Sequence, residues 1–404
     1  MILKLINEIL SISVIINIYI YYNFDQRKLF RVNFNVSKEK TKIIIGNGFD
    51  LQCKLNSSYK YFFCHSNSIR EVDSWIKNLN MSRIDTYLFG IGTTNREEFS
   101  PNNLPENTSV WDAFFNVTMR DKDCDWCDVE EEMYNSFKNN AGYSFWDKVF
   151  NIISNDKNMN NNKNYDESVK ICSSYCLKKL GLQNNKKAFF SNLLKELNIF
   201  EKNFGLFIKN QLKNNDTYYT CASNLLKKLS RNMNNIEYID SFNFTNPFSD
   251  SSKIKKKLHF HNINGDISFP IFGIDSSFIK INDPTYMFTK TYRRLMQNIN
   301  NEFVSELGNF NNIVIYGHSL HKQDFSFFFP IFDYLKLNNV SKSSKITFAY
   351  SIFDNSMKDT IITKHTMGIS DIITKYENYI YPKREECRLL DSLSMQGRII
   401  SREI

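Results

Sequence analysis

The chain of 404 residues is 42% hydrophobic and 15% aromatic, which is typical of a globular protein and excludes a largely disordered one. It carries 51 basic and 43 acidic residues, which give a net charge of +8. Apart from a short run at 253–257 the basic residues are dispersed, and this disfavours a dedicated nucleic-acid binder because such proteins concentrate their charge.

The N-terminal segment contains an apolar stretch from Ile9 to Tyr22. This stretch has 14 residues, fewer than the ~20 that a helix needs to cross a bilayer, and no small-residue cleavage site follows it. We therefore predict that residues 1–38 are an N-terminal extension of a cytoplasmic protein. A weak membrane anchor and a mis-assigned start of the chain stay open as alternatives.

The stretch from Lys42 to Phe63 carries the strongest local pattern. Three isoleucines at 43–45 predict a strand buried on both faces, as in a parallel sheet. The glycines of 46–48 predict a tight turn where the backbone can approach a ligand, and polar residues at 56–58 can cap a following helix. Strand, glycine turn and helix form the phosphate-binding corner of a doubly wound α/β fold. The third glycine of the dinucleotide fingerprint is missing, so the pattern alone also fits an ordinary turn.

Residues 110–232 are predicted to form a long helical insertion, because 186–212 and 217–230 are amphipathic with helical spacing. An Asn/Lys-rich stretch at 151–166 predicts an exposed loop. Near the start of the region, Trp126 begins an apolar helical stripe, whereas Glu130 lies off the stripe, which predicts a solvated charge.

The eight cysteines show no spacing typical of a disulfide framework. Two pairs, Cys124–Cys127 and Cys172–Cys176, could supply four thiolates to zinc, but each pair falls in a helical pattern. We therefore predict free thiols in a reducing compartment and no metal site.

The α/β pattern returns after the helical region. Short apolar runs predict four further strands, at 236–242, 258–263, 312–316 and 346–350. Polar segments follow the first three of them, at 243–245, 264–266 and 317–324. Ligands of an open α/β sheet bind outside the carboxyl ends of its strands, so we expect these segments and the glycine turn to form one site.

Six segments occur in an order that resembles the AbiH family, bacterial proteins associated with abortive infection of phage. They are GNGFD at 46–50, WCDVE at 126–130, FNFT at 242–245, NG at 264–265, IFGID at 271–275 and GHSLHKQD at 317–324. Two segments depart from the family pattern, since Phe244 replaces a tyrosine and Asn264 replaces a histidine. The resemblance implies an antiphage protein.

The AbiH family is in turn similar to sirtuin-like NAD-binding domains, which implies NAD as substrate or ligand. By this resemblance Asn243 contacts the nicotinamide ribose, and Asn264 stands where a histidine acts as base. An asparagine amide cannot accept a proton at neutral pH, so Asn264 could orient a ribose hydroxyl without activating it. His261, just upstream, and His318 are alternative bases. Cleavage of the nicotinamide bond passes through an oxocarbenium-like cation, which positioning and electrostatics can stabilise with little help from a base.

We therefore predict a doubly wound, mostly parallel, Rossmann-like α/β sheet, with a nucleotide-binding domain at 39–350 and a helical or irregular segment at 351–404. The predicted catalytic residues of an NAD hydrolase are Asn243, His261 and Asn264. The predicted cofactor-binding residues are Gly46, Asn47, Gly48, Asp50, Thr245, Gly265, Gly317, His318, Ser319 and Asp324. The alternatives are a non-catalytic nucleotide-sensing module and a nucleic-acid- or partner-binding effector with a structural α/β core. A homo-oligomer and a phage-derived trigger stay open.

Overall fold

One sheet of six parallel strands organises the computed structural model, which describes residues 41–90, 98, 100–119, 129–138, 142–154, 165–230, 236–248, 258–297, 310–339, 341–382 and 388–404. The strands are β1 Thr41–Ile45, β2 Ile236–Ser241, β3 His259–Asn262, β4 Asn312–Tyr316, β5 Lys345–Tyr350 and β6 Ile399–Glu403. Their order in the sheet is β3-β2-β1-β4-β5-β6, and neighbouring strands run parallel.

This strand order is that of a doubly wound fold. The chain passes from β1 outwards to β2 and β3, and then returns to the other side of β1 for β4, β5 and β6. The direction therefore reverses between β1 and β4, and ligands of open α/β sheets bind at such a switch point. The predicted Rossmann-like α/β fold is confirmed.

The three central strands end at the same level. Ile45, the last residue of β1, pairs with Ser241 of β2 on one side and with Tyr316 of β4 on the other. The segments that follow these strands therefore emerge side by side at one edge of the sheet. Apolar residues dominate β1 and β4 because a parallel sheet is covered on both faces.

Fourteen α-helices lie among the described residues. Ten of them separate β1 from β2: α1 Asn47–Gln52, α2 Tyr59–His65, α3 Asn67–Lys77, α4 Met81–Phe89, α5 Val110–Met119, α6 Val129–Phe137, α7 Phe145–Ile153, α8 Glu167–Leu180, α9 Lys186–Lys213 and α10 Tyr218–Ser230. The later connections carry α11 Lys290–Met296, α12 Phe325–Tyr334, α13 Lys358–Ile380 and α14 Leu389–Met395. Short 3-10 helices occur at Ser276–Phe278, Pro284–Phe288, Lys322–Asp324 and Asn355–Met357.

Three apolar clusters hold these layers together. Successive residues of β1 point to opposite faces, so Ile44 joins the cluster of α12 and α13, whereas Ile43 and Ile45 join that of α1 and α10. The third cluster lies mainly in the helical region and is built around aromatic rings, with Trp111 and Trp146 fully buried. The helical region therefore has a core of its own.

The helices after β1 begin earlier than the sequence suggests, because α1 follows Gly46 directly. The helix predicted after the cap residues is α2, which starts at Tyr59, and the hydroxyl of Ser58 caps it by accepting the N–H of Tyr61 at 3.2 Å. Every described element between β1 and β2 is helical. The bounds of the insertion and of the domains stay a prediction.

The C-terminal segment differs from the prediction of a helical or irregular region at 351–404. It ends in β6, which pairs with β5 and completes the sheet. Only the first two residues of β6 are isoleucines, and polar or charged residues follow at 401–403, as is common on an edge strand, so β6 lacks the apolar run by which the other strands are recognised.

Several predictions concern residues outside the described part of the chain: the N-terminal extension, Cys124, Trp126, Cys127 and most of the Asn/Lys-rich stretch. Cys172 and Cys176 lie in α8 as buried free thiols. Among the described helices, none has the length and apolar character needed to cross a bilayer.

Candidate functional site

The turns that follow β1 and β4 are in direct backbone contact. The N–H of Gly46 donates to the carbonyl of Tyr316 at 2.9 Å, and the N–H of Gly48 donates to that of Gly317 at 2.7 Å. A Cβ atom on Gly48 would lie 2.7 Å from the Cα of Gly317, which itself has a left-handed φ of +68°. The glycines predicted to cradle phosphate therefore serve this contact, and the N–H of Gly48 is directed at Gly317.

A cavity of about 120 Å³ opens beside this contact, at the carboxyl ends of β1, β2 and β4. Predicted site residues that line it are Gly46, Asn47, Asp50, Asn243, Thr245, Asn264, Gly317, His318, Ser319 and Asp324. The remaining wall consists of Ser57, Tyr59, Glu130, Phe204, Ile208, Phe242, Phe244, Lys290 and His321. Gly48, His261 and Gly265 do not belong to this wall. The structure thus brings the ends of three neighbouring strands to one small chamber with both polar and apolar walls.

Asp50 lies on α1, and its carboxylate is buried in the cavity wall. Its Oδ1 accepts the hydroxyl of Tyr218 at 2.7 Å, and its Oδ2 accepts the hydroxyl of Thr245 at 2.7 Å. Burial raises the pKa of Asp50 to about 6, although hydrogen bonds from Tyr218, Thr245 and Asn243 oppose this rise. The carboxyl group therefore titrates close to neutral pH.

Asn243 follows β2 and is held from several sides. Its Nδ2 donates to the carbonyl of Gly46 at 3.1 Å, which ties the end of β2 to the turn after β1. The side chain of Asn262, at the end of β3, donates to the carbonyls of Asn243 at 2.6 Å and Thr245 at 2.9 Å. The backbone of 243–245 is thus fixed by an asparagine that sequence reasoning missed.

Three charged side chains form a cluster in the wall of the cavity. Lys290, at the start of α11, places its Nζ 2.5 Å from Oδ1 of Asp324 and 2.6 Å from Oε2 of Glu130. Glu130 comes from α6 in the helical region, and its side chain is only 13% exposed. The prediction that Glu130 is a solvated charge is therefore wrong, because the fold brings it to a buried lysine.

The protonation states of this cluster follow from its geometry. Burial alone would raise the pKa of Asp324, but Lys290 and His318 outweigh this effect and hold it well below its usual range. Burial likewise opposes a charged Lys290, but Asp324 and Glu130 raise its pKa above the usual value. The cluster therefore contains an ammonium group between two carboxylates.

His318 follows Gly317 and has both ring nitrogens engaged. Its Nδ1 accepts the backbone N–H of Leu320 at 2.9 Å, and its Nε2 lies 3.3 Å from Oδ2 of Asp324. This assigns the proton of the neutral ring to Nε2. The arrangement is that of a hydrogen-bonded histidine that orients Asp324.

Asn264 lies at the cavity with its side chain fixed. Its Oδ1 accepts an N–H from Arg294 at 2.8 Å, and this bond leaves the two N–H donors of its Nδ2 unused. The residue can therefore hydrogen-bond an acceptor of a ligand, but it has no basic atom.

His261 and Gly265 line a second cavity of about 530 Å³ at the outer edge of β3. The Nδ1 of His261 lies 3.8 Å from Asp240, which forms a buried ion pair with Lys42 at 2.6 Å. Burial lowers the pKa of His261, and the positive charges of Lys42 and Arg294 lower it further. His261 therefore lines a different cavity from Asn243, with which it was predicted to act.

A comparison with family models identifies the chain. The model of bacteriophage abortive infection AbiH matches residues 43–350. The chain belongs to the AbiH family. No curated protein and no solved structure matches it. The AbiH match begins in β1, ends in β5 and contains every residue that lines the first cavity. It gives this AbiH chain a role in abortive infection of bacteriophage, whereas the sirtuin-like similarity stays a prediction.

Three site residues of this AbiH chain were not singled out by sequence reasoning: Lys290, Asn262 and Tyr218. Each of them contacts a partner that is distant in sequence; the hydroxyl of Tyr218, for example, donates to Asp50. A buried lysine in an amphipathic helical pattern gives no local signal. The closest sequence signal for this cluster was Glu130 in the WCDVE segment, but the sequence could not identify Lys290 as its partner. Among the described residues, no cluster of His, Cys, Asp or Glu is arranged to hold a metal ion.

Proposed function

We propose that this AbiH chain binds NAD or a related nucleotide at the first cavity and hydrolyses its N-glycosidic bond. The observation that carries the proposal is the meeting of Asp50 and Asn243 in one chamber at the switch point between β1 and β4. Nucleotides bind at this position in doubly wound folds.

In the proposed reaction, water adds to C1′ of the ribose, and the bond from C1′ to the nicotinamide nitrogen breaks. The products are nicotinamide, ADP-ribose and one proton. Positive charge develops on the ribose in the transition state, and the buried carboxylate of Asp50 would stabilise it. With a pKa of about 6, Asp50 is also suited to take the proton that the water loses. Asn243 and Asn264 would position the ribose through hydrogen bonds.

Such an activity accounts for abortive infection in simple terms. A cell that loses its NAD cannot sustain metabolism, and the phage inside it cannot complete replication. The activity would have to be silent until infection, which makes a phage-derived trigger part of the proposal.

The test is release of nicotinamide from NAD by the purified full chain, followed by chromatography, with and without extract of phage-infected cells. We expect Asp50→Asn and Asn243→Ala each to slow release by about a hundredfold or more, because each removes a group that acts at the reacting centre. Asp216→Asn, which alters an exposed carboxylate, should behave as the wild type. Equal rates for wild type and both site variants would overturn the site assignment.

A second function, a nucleotide sensor without turnover, is favoured by one observation. Neither Asn264 nor His318 offers a free basic nitrogen, since Asn264 has none and both nitrogens of His318 are engaged. Binding of NAD by calorimetry without nicotinamide release, in the presence of infected-cell extract, would select the sensor.

A further inference from the structure

Three aromatic rings that contact one another line the first cavity. Tyr59 comes from α2, Phe204 from α9 and Phe244 from the segment after β2. The ring centroids of Tyr59 and Phe204 lie 5.4 Å apart, and those of Phe204 and Phe244 lie 5.6 Å apart. Phe242 and Ile208 add apolar surface to the same wall. Aromatic surfaces of this kind bind a flat ring by stacking or by edge-to-face contact.

The same cavity is lined by three carboxylates and, among the described residues, by one ammonium group. The carboxylates are those of Asp50, Glu130 and Asp324, and each comes from a different element. The ammonium group of Lys290 lies between Glu130 and Asp324, at 2.6 and 2.5 Å. Asp50 accepts its hydrogen bonds from neutral side chains. The carboxylates of the wall therefore outnumber its cation.

The protonation states preserve this excess of negative charge at neutral pH. Asp50, with a pKa of about 6, is mostly ionised at pH 7. Lys290 and His318 hold the pKa of Asp324 below its usual range, so this carboxylate is ionised too. Outside the wall, Arg294 and Asp275 interact with each other and add charges of opposite sign, which leave the balance unchanged.

The two histidines of the wall do not reverse the balance. Nε2 of His318 is directed at Asp324, and the ring is satisfied in its neutral form. Nε2 of His321 lies 2.9 Å from Oε2 of Glu131, a carboxylate outside the wall, so a positive charge on His321 has a counter-ion of its own. Lys322 shares Glu131 from an exposed position.

The aromatic rings and the carboxylates favour the same class of ligand. The face of an aromatic ring is electron-rich and attracts cations. Carboxylates without a cation of their own also attract a positive charge, and they do so more strongly in a desolvated cavity than in water. A phosphate group would be repelled by them. The chamber therefore suits a flat ring that carries a positive charge.

The volume of the cavity restricts the ligand to a single ring. It measures about 120 Å³, whereas pockets that hold whole drug-sized ligands measure roughly 300–1,000 Å³. An engineered apolar cavity of about 150 Å³ binds benzene, so the volume observed here is of the order that one six-membered ring requires. The cavity thus has room for one ring of a nucleotide and not for the whole molecule.

We propose that the first cavity binds the positively charged pyridinium ring of oxidised NAD, and that Glu130 and Phe244 help to select this ring. The inference rests on the proposed function and narrows its substrate class to dinucleotides with a cationic ring. It excludes their reduced and carboxylated forms. It also gives a task to the last residue of the WCDVE segment, since Glu130 lines the cavity.

The test compares three dinucleotides that differ only at the nicotinamide ring, by isothermal titration calorimetry on the full chain. NAD carries a positive ring, NADH carries a neutral ring, and nicotinic acid adenine dinucleotide carries a pyridinium with an added carboxylate. We expect NAD to bind at least about tenfold more tightly than either of the others. Nicotinamide release is measured in the same samples to confirm that NAD stays intact.

Two variants test the residues through the ratio of the NAD and NADH affinities. Glu130→Gln removes one negative charge but keeps an oxygen for Lys290, and Phe244→Leu keeps an apolar side chain but removes the aromatic face. Each should lower the ratio by at least about threefold. The matched control Glu132→Gln, on the same helix but outside the cavity wall, should keep the ratio of the wild type. The ratio is the readout because a purely structural defect weakens both ligands alike.

Failure of this inference is distinguishable from failure of the proposed function. If the wild type binds NADH or the carboxylated dinucleotide as tightly as NAD, the cation subsite is wrong and nucleotide binding stands, whatever the variants do. An unchanged ratio in both site variants would overturn the roles of Glu130 and Phe244.

A lone ring separates the remaining outcomes. If no dinucleotide binds but the cation 1-methylnicotinamide binds more tightly than neutral nicotinamide, and Glu130→Gln removes this preference, the proposed function is wrong and the subsite stands. Absence of binding by every dinucleotide and by both lone rings would overturn the two proposals together.

Discussion

Gly48 donates its backbone N–H to the carbonyl of Gly317 at 2.7 Å, which joins the turn after β1 to the turn after β4. A Cβ atom on Gly48 would lie 2.7 Å from the Cα of Gly317, and a Cβ atom on Gly317 would lie 2.5 Å from the backbone nitrogen of Phe49. Backbone atoms cannot move aside as a flexible side chain can. The contact therefore fixes the geometry of the switch point.

We expect Gly48→Val to lower the free energy of unfolding by about 1–3 kcal/mol or more, because it overpacks this contact. Urea denaturation measures the change. The matched control is Gly368→Ala in α13, where the new Cβ would make an ordinary contact with Leu320 at 3.6 Å. Since alanine favours a helix over glycine, that control should be neutral or stabilising. A Gly48→Val protein as stable as the wild type would contradict the packing described.

The raised pKa of Asp50 predicts a specific dependence of stability on pH. Its value rises from 3.8 to about 6 on folding, so the native state binds this proton more tightly than the unfolded chain does. Deprotonation between these values favours unfolding, and Asp50 lowers stability as pH increases from about 4 to 6. The shift corresponds to about 3 kcal/mol.

Asp50→Asn removes this titration, so its unfolding free energy should depend less on pH than that of the wild type between about 4 and 7. Denaturation at several pH values measures the difference, with Asp216→Asn as the control for an exposed carboxylate. Parallel curves for wild type and Asp50→Asn would refute a raised pKa.

Removal of the buried ammonium at position 290 should be costly. Lys290→Met leaves Asp324 and Glu130 without their shared cation, and we expect a loss of about 3–5 kcal/mol at neutral pH. Without Lys290 the pKa of Asp324 should be higher than in the wild type. The loss should therefore shrink as pH falls, because Asp324 becomes protonated and a neutral acid tolerates burial. The control is Lys322→Met, whose partner Glu131 is 33% exposed and whose loss should cost less than about 1 kcal/mol. Equal effects of the two substitutions would show that Lys290 is not buried in a charge cluster.

Asn262 is expected to influence the site from outside the first cavity. Asn262→Ala removes two hydrogen bonds that hold the carbonyls of Asn243 and Thr245, and each is worth about 0.5–1.5 kcal/mol. The free energy of nucleotide binding, measured by calorimetry, should be weakened more than the free energy of unfolding is lowered, since the loosened backbone at 243–245 lines the first cavity. Asn210→Ala, on an exposed face of α9, should change neither. Unchanged affinity in Asn262→Ala would remove this residue from the positioning network.

The sequence predicts the parts of this fold that depend on local pattern. The isoleucines of β1 and the apolar run of β4 identify buried parallel strands, and the polar segments after them identify the edge where the cavity lies. It cannot predict contacts between distant segments. Glu130 looks like a solvated charge because its partner Lys290 lies on another element, and β6 is hidden because an edge strand is only partly covered. His261 and Asn264 are close in sequence, but the turn at the end of β3 sends them to different cavities.

The two basic residues at the start of α11 tie the helical region to the sheet, since Lys290 takes Glu130 from α6 and Arg293 takes Glu201 from α9. Cutting the helices between β1 and β2 out of the chain would thus leave Arg293 buried without a counter-ion and Lys290 with only Asp324. These helices are consequently not a detachable module, and any movement of α6 or α9 also displaces the wall of the first cavity, to which both contribute residues.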